Sequence, residues 1–422
     1  MRAERGLLLL SLGGLWAGLA MALLGGLAER WDVLVLPWFP AHGILLVLGF
    51  VLPGLLFLLL RIAGPLMPRP LDPARIRVLG MLWAAAAIVA GLGHLLPGRV
   101  VAFLGMLLAF AAGGMQTGTM LKALPRRGES VVDVARDPLT KGDDACFQQI
   151  RFAHFFLPLG LLLMTASYAP GLAAWPGSPR LFLAGLHLTL VGHALVAAYG
   201  LTHLAIPRYA GVPAIAAGAI KGELHSTLPG LVLLVAGFLA GHSTGVGRGL
   251  LVAAGVFVFL GIFVYMGVLG ANIMKNKSRT QRVTPAFAYI PWTFAGVLWL
   301  VCGVLMGWFL NAVPAPLADA YPSLRFTHAH FALLGGIAQV YLGLLPRELA
   351  AWNRRPVLPF TGTARGAFYG LNAGLLLLVV GRFGAGVGGT AFLGGAGLTL
   401  LSLALHGLHI RKLIRPHGDA SA

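Results

Sequence analysis

Long apolar runs recur from one end of this chain to the other, and they constrain its fold more than any other feature. A run of about 18 or more apolar residues is long enough to cross the hydrocarbon core of a bilayer as a helix. The alternating pattern of a transmembrane β-barrel is absent, so each segment must satisfy its backbone hydrogen bonds as a helix. The sequence therefore predicts an all-α polytopic membrane protein with twelve transmembrane helices. The predicted spans are 6–28, 36–60, 78–96, 100–121, 152–173, 181–206, 224–243, 249–272, 287–311, 326–345, 365–381 and 386–410.

The composition agrees with this interpretation. Of the 422 residues, 58% are hydrophobic and only 10% are charged, which is too little charge to cover a soluble domain of this size. We expect a single integral membrane domain over residues 1–422, with one long polar loop at 122–150 on the cytoplasmic side. No internal repeat stands out in the sequence.

The basic residues predict the orientation. If the N-terminus is cytoplasmic, only six of the 31 Lys and Arg residues fall in outer loops, one in each loop, and 25 fall on the cytoplasmic side. The six are Arg30, Arg99, Arg180, Arg248, Arg325 and Arg382. This asymmetry obeys the positive-inside rule. We therefore expect the chain in the inner membrane of the cell, with both termini in the cytoplasm. The net charge of +18 then faces anionic membrane lipid and does not imply nucleic acid.

Two cysteines, Cys146 in the predicted loop and Cys302 in a predicted helix, indicate neither a disulfide framework nor a thiolate metal site. Thirteen histidines are the stronger chemical signal, because ionisable groups inside a membrane are costly and usually functional. Six lie near the cytoplasmic ends or in the tail, where we expect interfacial, structural roles: His154, His203, His225, His406, His409 and His417. His193 lies near the middle of the sixth helix.

The remaining six histidines fall in the outer third of five helices that run in opposite directions. They are His42, His94, His187, His242, His328 and His330. Each lies about 5–14 Å below the outer surface at 1.5 Å per residue. Imidazoles that meet in one layer favour shared ligation of a cofactor, and imidazole suits heme iron and copper.

The most informative stretch is Arg325-Phe326-Thr327-His328-Ala329-His330. Two residues along a helix turn by ~200°, so His328 and His330 point to opposite faces. One helix could thus ligate two different metals, such as two hemes that flank it. Arg325 and Arg382 are candidates to bind heme propionates at the outer surface, although a general preference for Arg in this chain explains them equally.

These residues resemble the catalytic subunit of the heme–copper oxidase superfamily, which includes terminal oxidases and nitric oxide reductases. Ala41-His42-Gly43, followed by Phe50, Pro53 and Gly64-Pro65-Leu66-Met67, is similar to the second helix of that family. His328 and His330 resemble its tenth helix. Leu345-Pro346-Arg347 and Pro207-Arg208-Tyr209-Ala210-Gly211-Val212-Pro213 are closest to C-type oxidases. The resemblance implies a low-spin heme bound by His42 and His330 and a high-spin heme bound by His328.

The copper site of that family is matched less well. The resemblance offers His187 or His193 from the sixth helix, with His187 at the better depth, and His242 from the seventh. The family's active-site tyrosine has no counterpart four residues after either histidine, where Val191 and Ala197 stand. A copper or other metal ion beside the high-spin heme would use His187 and His242, with His193 as a further candidate.

The resemblance implies an oxidoreductase that reduces O2 or NO, with His328, His187 and His242 as catalytic residues. Its electrons would come from a cytochrome c-like protein or a quinol, since the chain has no C-x-x-C-H motif, and a small partner subunit would accompany it. Two alternatives stay open. One is a heme- or copper-binding protein without turnover, similar to nitric-oxide-response heme–copper membrane proteins (NnrS type). The other is a twelve-helix secondary transporter.

Overall fold

A computed structural model describes residues 2–31, 38–96, 99–126, 141–276, 289–312, 321–383 and 388–414. Within these residues the chain forms twelve helices that are long and apolar enough to cross a membrane. Their bounds are α1 (Arg2–Trp31), α2 (38–62), α3 (Pro73–Leu95), α4 (Val100–Ala123), α5 (Lys141–Tyr168), α6 (Ser178–Ala210), α7 (Ala217–Ala240), α8 (Gly245–Lys275), α9 (Ile290–Ala312), α10 (321–352), α11 (Gly362–Phe383) and α12 (Gly388–Ile414). The all-α, multi-pass membrane architecture predicted from the sequence is confirmed.

The helix ends follow local sequence signals. Asp72 accepts a hydrogen bond from the Ala74 backbone N–H at 2.9 Å and is followed by Pro73, which makes a favourable start for α3. The Thr244 hydroxyl caps α8 in the same way. At the other end of a helix, α6 stops at Gly211, whose φ of 63° is the left-handed conformation that glycine adopts readily.

Most helix bounds differ from the predicted spans by a few residues, and the largest difference is at the start of α5. The polar segment 122–150 was expected to be a loop, but α5 begins at Lys141 and includes its last ten residues. Cys146, predicted to lie in that loop, is therefore on a helix and is buried. In this polar first turn, Asp143 forms an ion pair with Arg208 of α6 at 2.9 Å. A hydropathy pattern by itself does not count such a turn as helix. Residues 127–140 of the segment lie outside the described part.

The twelve helices repeat one arrangement three times. In α1–α4, α5–α8 and α9–α12, the second helix is the most buried of its four, and the third and fourth helices pack against each other. The three groups adjoin through α4 with α5, α8 with α9, and α12 with α1. The buried second helices, α2, α6 and α10, form the centre of the bundle. The sequence shows no corresponding repeat, because the three groups share the order and burial of their helices and not a pattern of residues.

Close helix packing depends on small residues in α1 and α9. A Cβ atom added at Gly14 would lie 2.3 Å from the backbone of Gly49 in α2, and one added at Gly303 would lie 2.9 Å from the backbone of Ala332 in α10. Each of these glycines is followed by another glycine four residues later, Gly18 and Gly307. This spacing places both glycines on one helix face and lets two backbones approach closely.

Large apolar side chains cover the outside of the bundle. Met81, Ile88, Val232 and Phe263 are among the exposed ones. A helical bundle with such a surface contacts membrane lipid directly, because no soluble domain exposes so much apolar area.

Candidate functional site: two pairs of parallel histidines

The first histidine pair joins α2 to α10. The rings of His42 and His330 lie nearly parallel, 18° apart, with their centroids separated by 5.7 Å. Both residues lie near the starts of their central helices, at an end of the bundle that we call the histidine end. His42 is buried, with 5% of its surface exposed.

Backbone carbonyl groups fix the orientation of both rings. The Nδ1 atom of His42 lies 2.7 Å from the carbonyl oxygen of Gly18 in α1, and that of His330 lies 2.9 Å from the carbonyl oxygen of Phe326. Because a carbonyl oxygen only accepts, each Nδ1 must carry the proton. In a neutral imidazole, the lone pair is then on Nε2, which has no hydrogen bond to any described residue. This is the arrangement typical of metal-binding histidines.

The second pair joins α6 to α10 at the same end of the bundle. The rings of His187 and His328 are parallel within 9°, and their centroids lie 6.2 Å apart. The Nδ1 atom of His328 donates to the carbonyl oxygen of Gly303 in α9 at 2.7 Å, and that of His187 donates to the carbonyl oxygen of Leu183 at 2.8 Å. Here too, each Nε2 is without a hydrogen-bond partner in the described chain. The predicted opposite orientation of His328 and His330 is thus what places them in different pairs.

Each central helix changes to π-helical geometry just after a histidine of one of the two pairs. The π-helical segments are Leu45–Val51, Leu188–Leu195 and Phe331–Ala338. They follow His42, His187 and His330 within one turn. π-helical turns are rare and occur often at functional sites, because the wider turn re-aims the side chains beside it.

The surroundings of the first pair are apolar. His330 borders a small pocket between α1, α10, α11 and α12, which is lined largely by Leu, Ala and Phe side chains. The Phe326 ring stacks on His330 with centroids 3.8 Å apart. The guanidinium carbon of Arg382 lies 5.9 Å from the centroid of the Phe326 ring, so a positive charge sits at the exposed edge of this pair.

The second pair is held between α7 and α9. The Phe238 ring packs against His187 with centroids 4.7 Å apart. On the other side, a Cβ atom added at Gly307 would lie 2.7 Å from Cε1 of His328. The imidazole of His328 therefore rests directly on the backbone of α9, at a position where only glycine leaves it room.

Other predicted ligands are placed elsewhere. His193 is buried and packs edge-on against His154, with centroids 4.9 Å apart. His242 is exposed in the turn after α7 and has no hydrogen bond or ring contact with described residues. Within the described residues, no group of three or more His, Cys, Asp or Glu side chains converges on one point. The structure thus does not gather His187, His193 and His242 into one site. Arg325 is exposed, three residues before His328.

His94 differs from the four paired histidines although it lies at a similar predicted depth. Its Nδ1 is 2.6 Å from the carbonyl oxygen of Ala90, and its Nε2 is 2.7 Å from the hydroxyl of Tyr168. Both nitrogens are therefore occupied, and we assign His94 a structural role. The Nε2 atom thus distinguishes His94 from the four paired histidines. It does not distinguish His154 and His193, whose Nε2 atoms also have no hydrogen-bond partner in the described chain.

Three histidines that were expected at the membrane interface are buried instead: His154, His203 and His406. The sequence prediction was based on nearby charged residues, but neighbouring helices cover these side chains. His409 is also buried, and its Nε2 lies 2.5 Å from the hydroxyl of Tyr289. Burial raises the pKa of Tyr289, so this phenol stays protonated. His225 is exposed, and His417 lies outside the described residues.

A second polar cluster lies at the opposite end of the bundle from the histidine pairs. Its centre is Glu223 in α7, whose side chain is completely buried. One carboxylate oxygen of Glu223 lies 2.7 Å from Nε2 of His203 in α6, and the other accepts a hydrogen bond from Gln149 in α5 at 2.8 Å. A buried acid in a membrane protein must be paired in this way.

Sequence reasoning identified all four paired histidines but missed the groups that orient them. Three of these groups are glycines: Gly18 and Gly303 act through a carbonyl oxygen, and Gly307 acts through the absence of a side chain. Glycine has no functional side chain by which the sequence could have marked them. The only visible hint was the spacing of four between glycines in α1 and α9. No known protein-family model and no curated protein sequence matches this chain.

Proposed function

We propose that this chain is a membrane-bound heme oxidoreductase in which a heme bound by His42 and His330 exchanges electrons with a second heme centre at His328. The observation that carries the proposal is the His42–His330 pair. Two parallel imidazoles from different helices, each with Nδ1 anchored and Nε2 free, form an axial ligand set for one iron ion.

The spacing of this pair fits a metal held between the rings. Two metal–imidazole bonds of about 2.0 Å each place the ring centroids roughly 6 Å apart, and the observed separation is 5.7 Å. The apolar lining of the pocket beside His330 is the type of surface that the mostly apolar body of a porphyrin contacts. Arg382 at the exposed edge suits a propionate. When bound, heme supplies one-electron redox chemistry, while the protein holds the ligands and excludes water.

The short path between the two centres supports electron transfer. His328 and His330 are separated by one residue of α10, so two macrocycles on opposite faces of this helix would be close neighbours. Electrons would enter from a cytochrome c-like protein or a quinol, with a small partner subunit at the surface. The distribution of the basic residues supports an orientation with both termini in the cytoplasm and the histidine end near the outer face of the inner membrane.

The electron acceptor in this proposal is O2 or NO, which the resemblance to heme–copper oxidases supports. A second candidate is a heme protein of the nitric-oxide response that does not turn over. The observation that favours it is the position of His187, which lies beside His328 and apart from His193 and His242. Within the described residues, no three His, Cys, Asp or Glu side chains converge on one point, which supports a centre without a separate three-histidine copper site.

Expression in a heme-replete host, followed by heme quantification and a reduced-minus-oxidised optical spectrum, tests the proposal. We expect the wild-type protein to contain heme, and both His42→Ala and His330→Ala to lose the same low-spin signal. His94→Ala is the matched control and should keep both hemes, because both nitrogens of His94 are engaged in hydrogen bonds. A heme-free wild-type protein would overturn the proposal. Measuring O2 and NO consumption with an artificial donor then distinguishes the two candidate functions.

A further inference from the structure

The two histidine pairs are constructed in the same way. In each pair, one ring is anchored by a glycine carbonyl on the preceding helix. His42 donates to Gly18 and His328 donates to Gly303, at 2.7 Å in both cases. The other ring is anchored by the carbonyl oxygen four residues earlier in its own helix, at 2.9 Å for His330 and 2.8 Å for His187. Both pairs bring together imidazoles from two of the three central helices.

We infer that His187 and His328 are the two axial ligands of one heme iron, so that the second centre is a bis-histidine site like the first. This inference rests on the proposed function and specifies the coordination of its second centre. It differs from an arrangement in which His187 belongs to a separate metal beside a heme held by His328 alone.

The distance between the rings distinguishes these two arrangements. A single metal ion bound by both imidazoles requires centroids roughly 6 Å apart, from two bonds of about 2.0 Å. If each histidine held its own metal, the separation would grow by the whole distance between the metals. The observed 6.2 Å, with planes 9° apart, has room for one metal ion and not for two.

No other group competes for the free nitrogen of His187. Its Nδ1 is used by the Leu183 carbonyl, and its Nε2 has no partner among the described residues. The next histidine along α6, His193, packs on His154, which holds it away from such a site. The rings of Phe238 and the backbone at Gly307 confine the pair from two sides.

A consequence follows for the reaction with small ligands. An iron ion with two imidazole ligands in addition to the porphyrin nitrogens has no open position, so CO, NO or O2 binds only when one histidine leaves. His328 is held against the backbone of α9 by its contact with Gly307 and its hydrogen bond to Gly303. His187 is therefore the histidine that is able to leave. Access of a gas to the second centre is therefore controlled by His187.

The test compares the purified wild-type protein with His187→Ala, His187→Met and His193→Ala by electron paramagnetic resonance and CO-difference spectroscopy. We expect wild type to show two low-spin hemes and little CO binding. His187→Ala should convert one heme to a high-spin, CO-binding form and leave the other unchanged. His187→Met should restore a low-spin signal with a higher reduction potential, because methionine as an axial ligand raises the potential. His193→Ala should behave like wild type.

Three results would overturn the inference. Stoichiometric CO binding to one of two hemes in the reduced wild-type protein would show an open position already present. A low-spin signal that is unchanged in both His187 variants would show that His187 is not a ligand. Loss of a copper ion together with unchanged hemes in His187→Ala would assign His187 to a separate metal. Each of these differs from a heme-free wild type, which would overturn the proposed function and this assignment with it.

Discussion

The rings of His42 and His330 lie parallel at a centroid separation of 5.7 Å, although they belong to the second and tenth helices of the chain. Neither ring hydrogen-bonds to the other, and each is fixed by a different carbonyl group. The pair thus presents two nitrogens that have no hydrogen-bond partner among the described residues, and a bound metal ion would satisfy both. This relationship is the basis of the first prediction.

If His42 and His330 bind the same heme, their removal should not be additive. We expect His42→Ala, His330→Ala and the double variant to lose the same amount of heme, because either single change already breaks the site. Heme content per polypeptide, measured after extraction, checks this. If the double variant lost as much heme as the two single variants together, the two histidines would serve different sites.

Gly307→Ala should disturb the second pair without removing any polar group. The new Cβ atom would lie 2.7 Å from the His328 ring, so the ring must shift, at a cost of about 1–3 kcal/mol in stability. We expect weakened or lost low-spin signal from the second centre and an intact first centre. Gly267→Ala in α8 is the matched control, since an added Cβ there has nothing within 4 Å. Equal spectra for the two variants would contradict the contact.

Arg382 should influence the potential of the first centre. A positive charge near a heme favours its reduced form, so Arg382→Ala should lower the midpoint potential by tens of millivolts, about the effect of one partly solvated charge. Redox titration of the low-spin signal measures this shift. Arg248→Ala removes another exposed arginine from a predicted outer loop and should leave the potential unchanged. Identical shifts in both variants would rule out a specific role for Arg382.

Glu223 should matter for stability more than for heme binding. Replacing it with Ala leaves His203 and Gln149 without their buried partner, and we expect a loss of about 3–5 kcal/mol, seen as a lower unfolding temperature in detergent. Glu223→Gln keeps two polar atoms and should lose less. Glu4→Gln is the control, because its 3.5 Å ion pair with Arg61 is partly exposed and contributes under about 1 kcal/mol. A Glu223→Ala variant as stable as wild type would show that the cluster is not structural.

The distribution of basic residues predicts that both termini face the cytoplasm. A fluorescent protein fused to the C-terminus should therefore be fluorescent in a bacterial host, and an alkaline phosphatase fused there should be inactive. Fusions in the predicted outer loop that contains Arg248 should give the reverse pattern. Active phosphatase at the C-terminus would invert the topology and place the histidine pairs near the cytoplasmic face.

The sequence by itself determined the membrane helices, because the transfer of an apolar run into lipid depends on that run alone and not on its neighbours. It also determined that His328 and His330 point to opposite sides of one helix, since helical geometry is local. The tertiary structure decided which histidines meet: His42 with His330, His187 with His328, and His193 with His154. Those pairings depend on how the helices pack, and close packing depends on glycines such as Gly18 and Gly303. Their backbone carbonyls cannot be recognised as partners of the histidine rings before the helices are brought together.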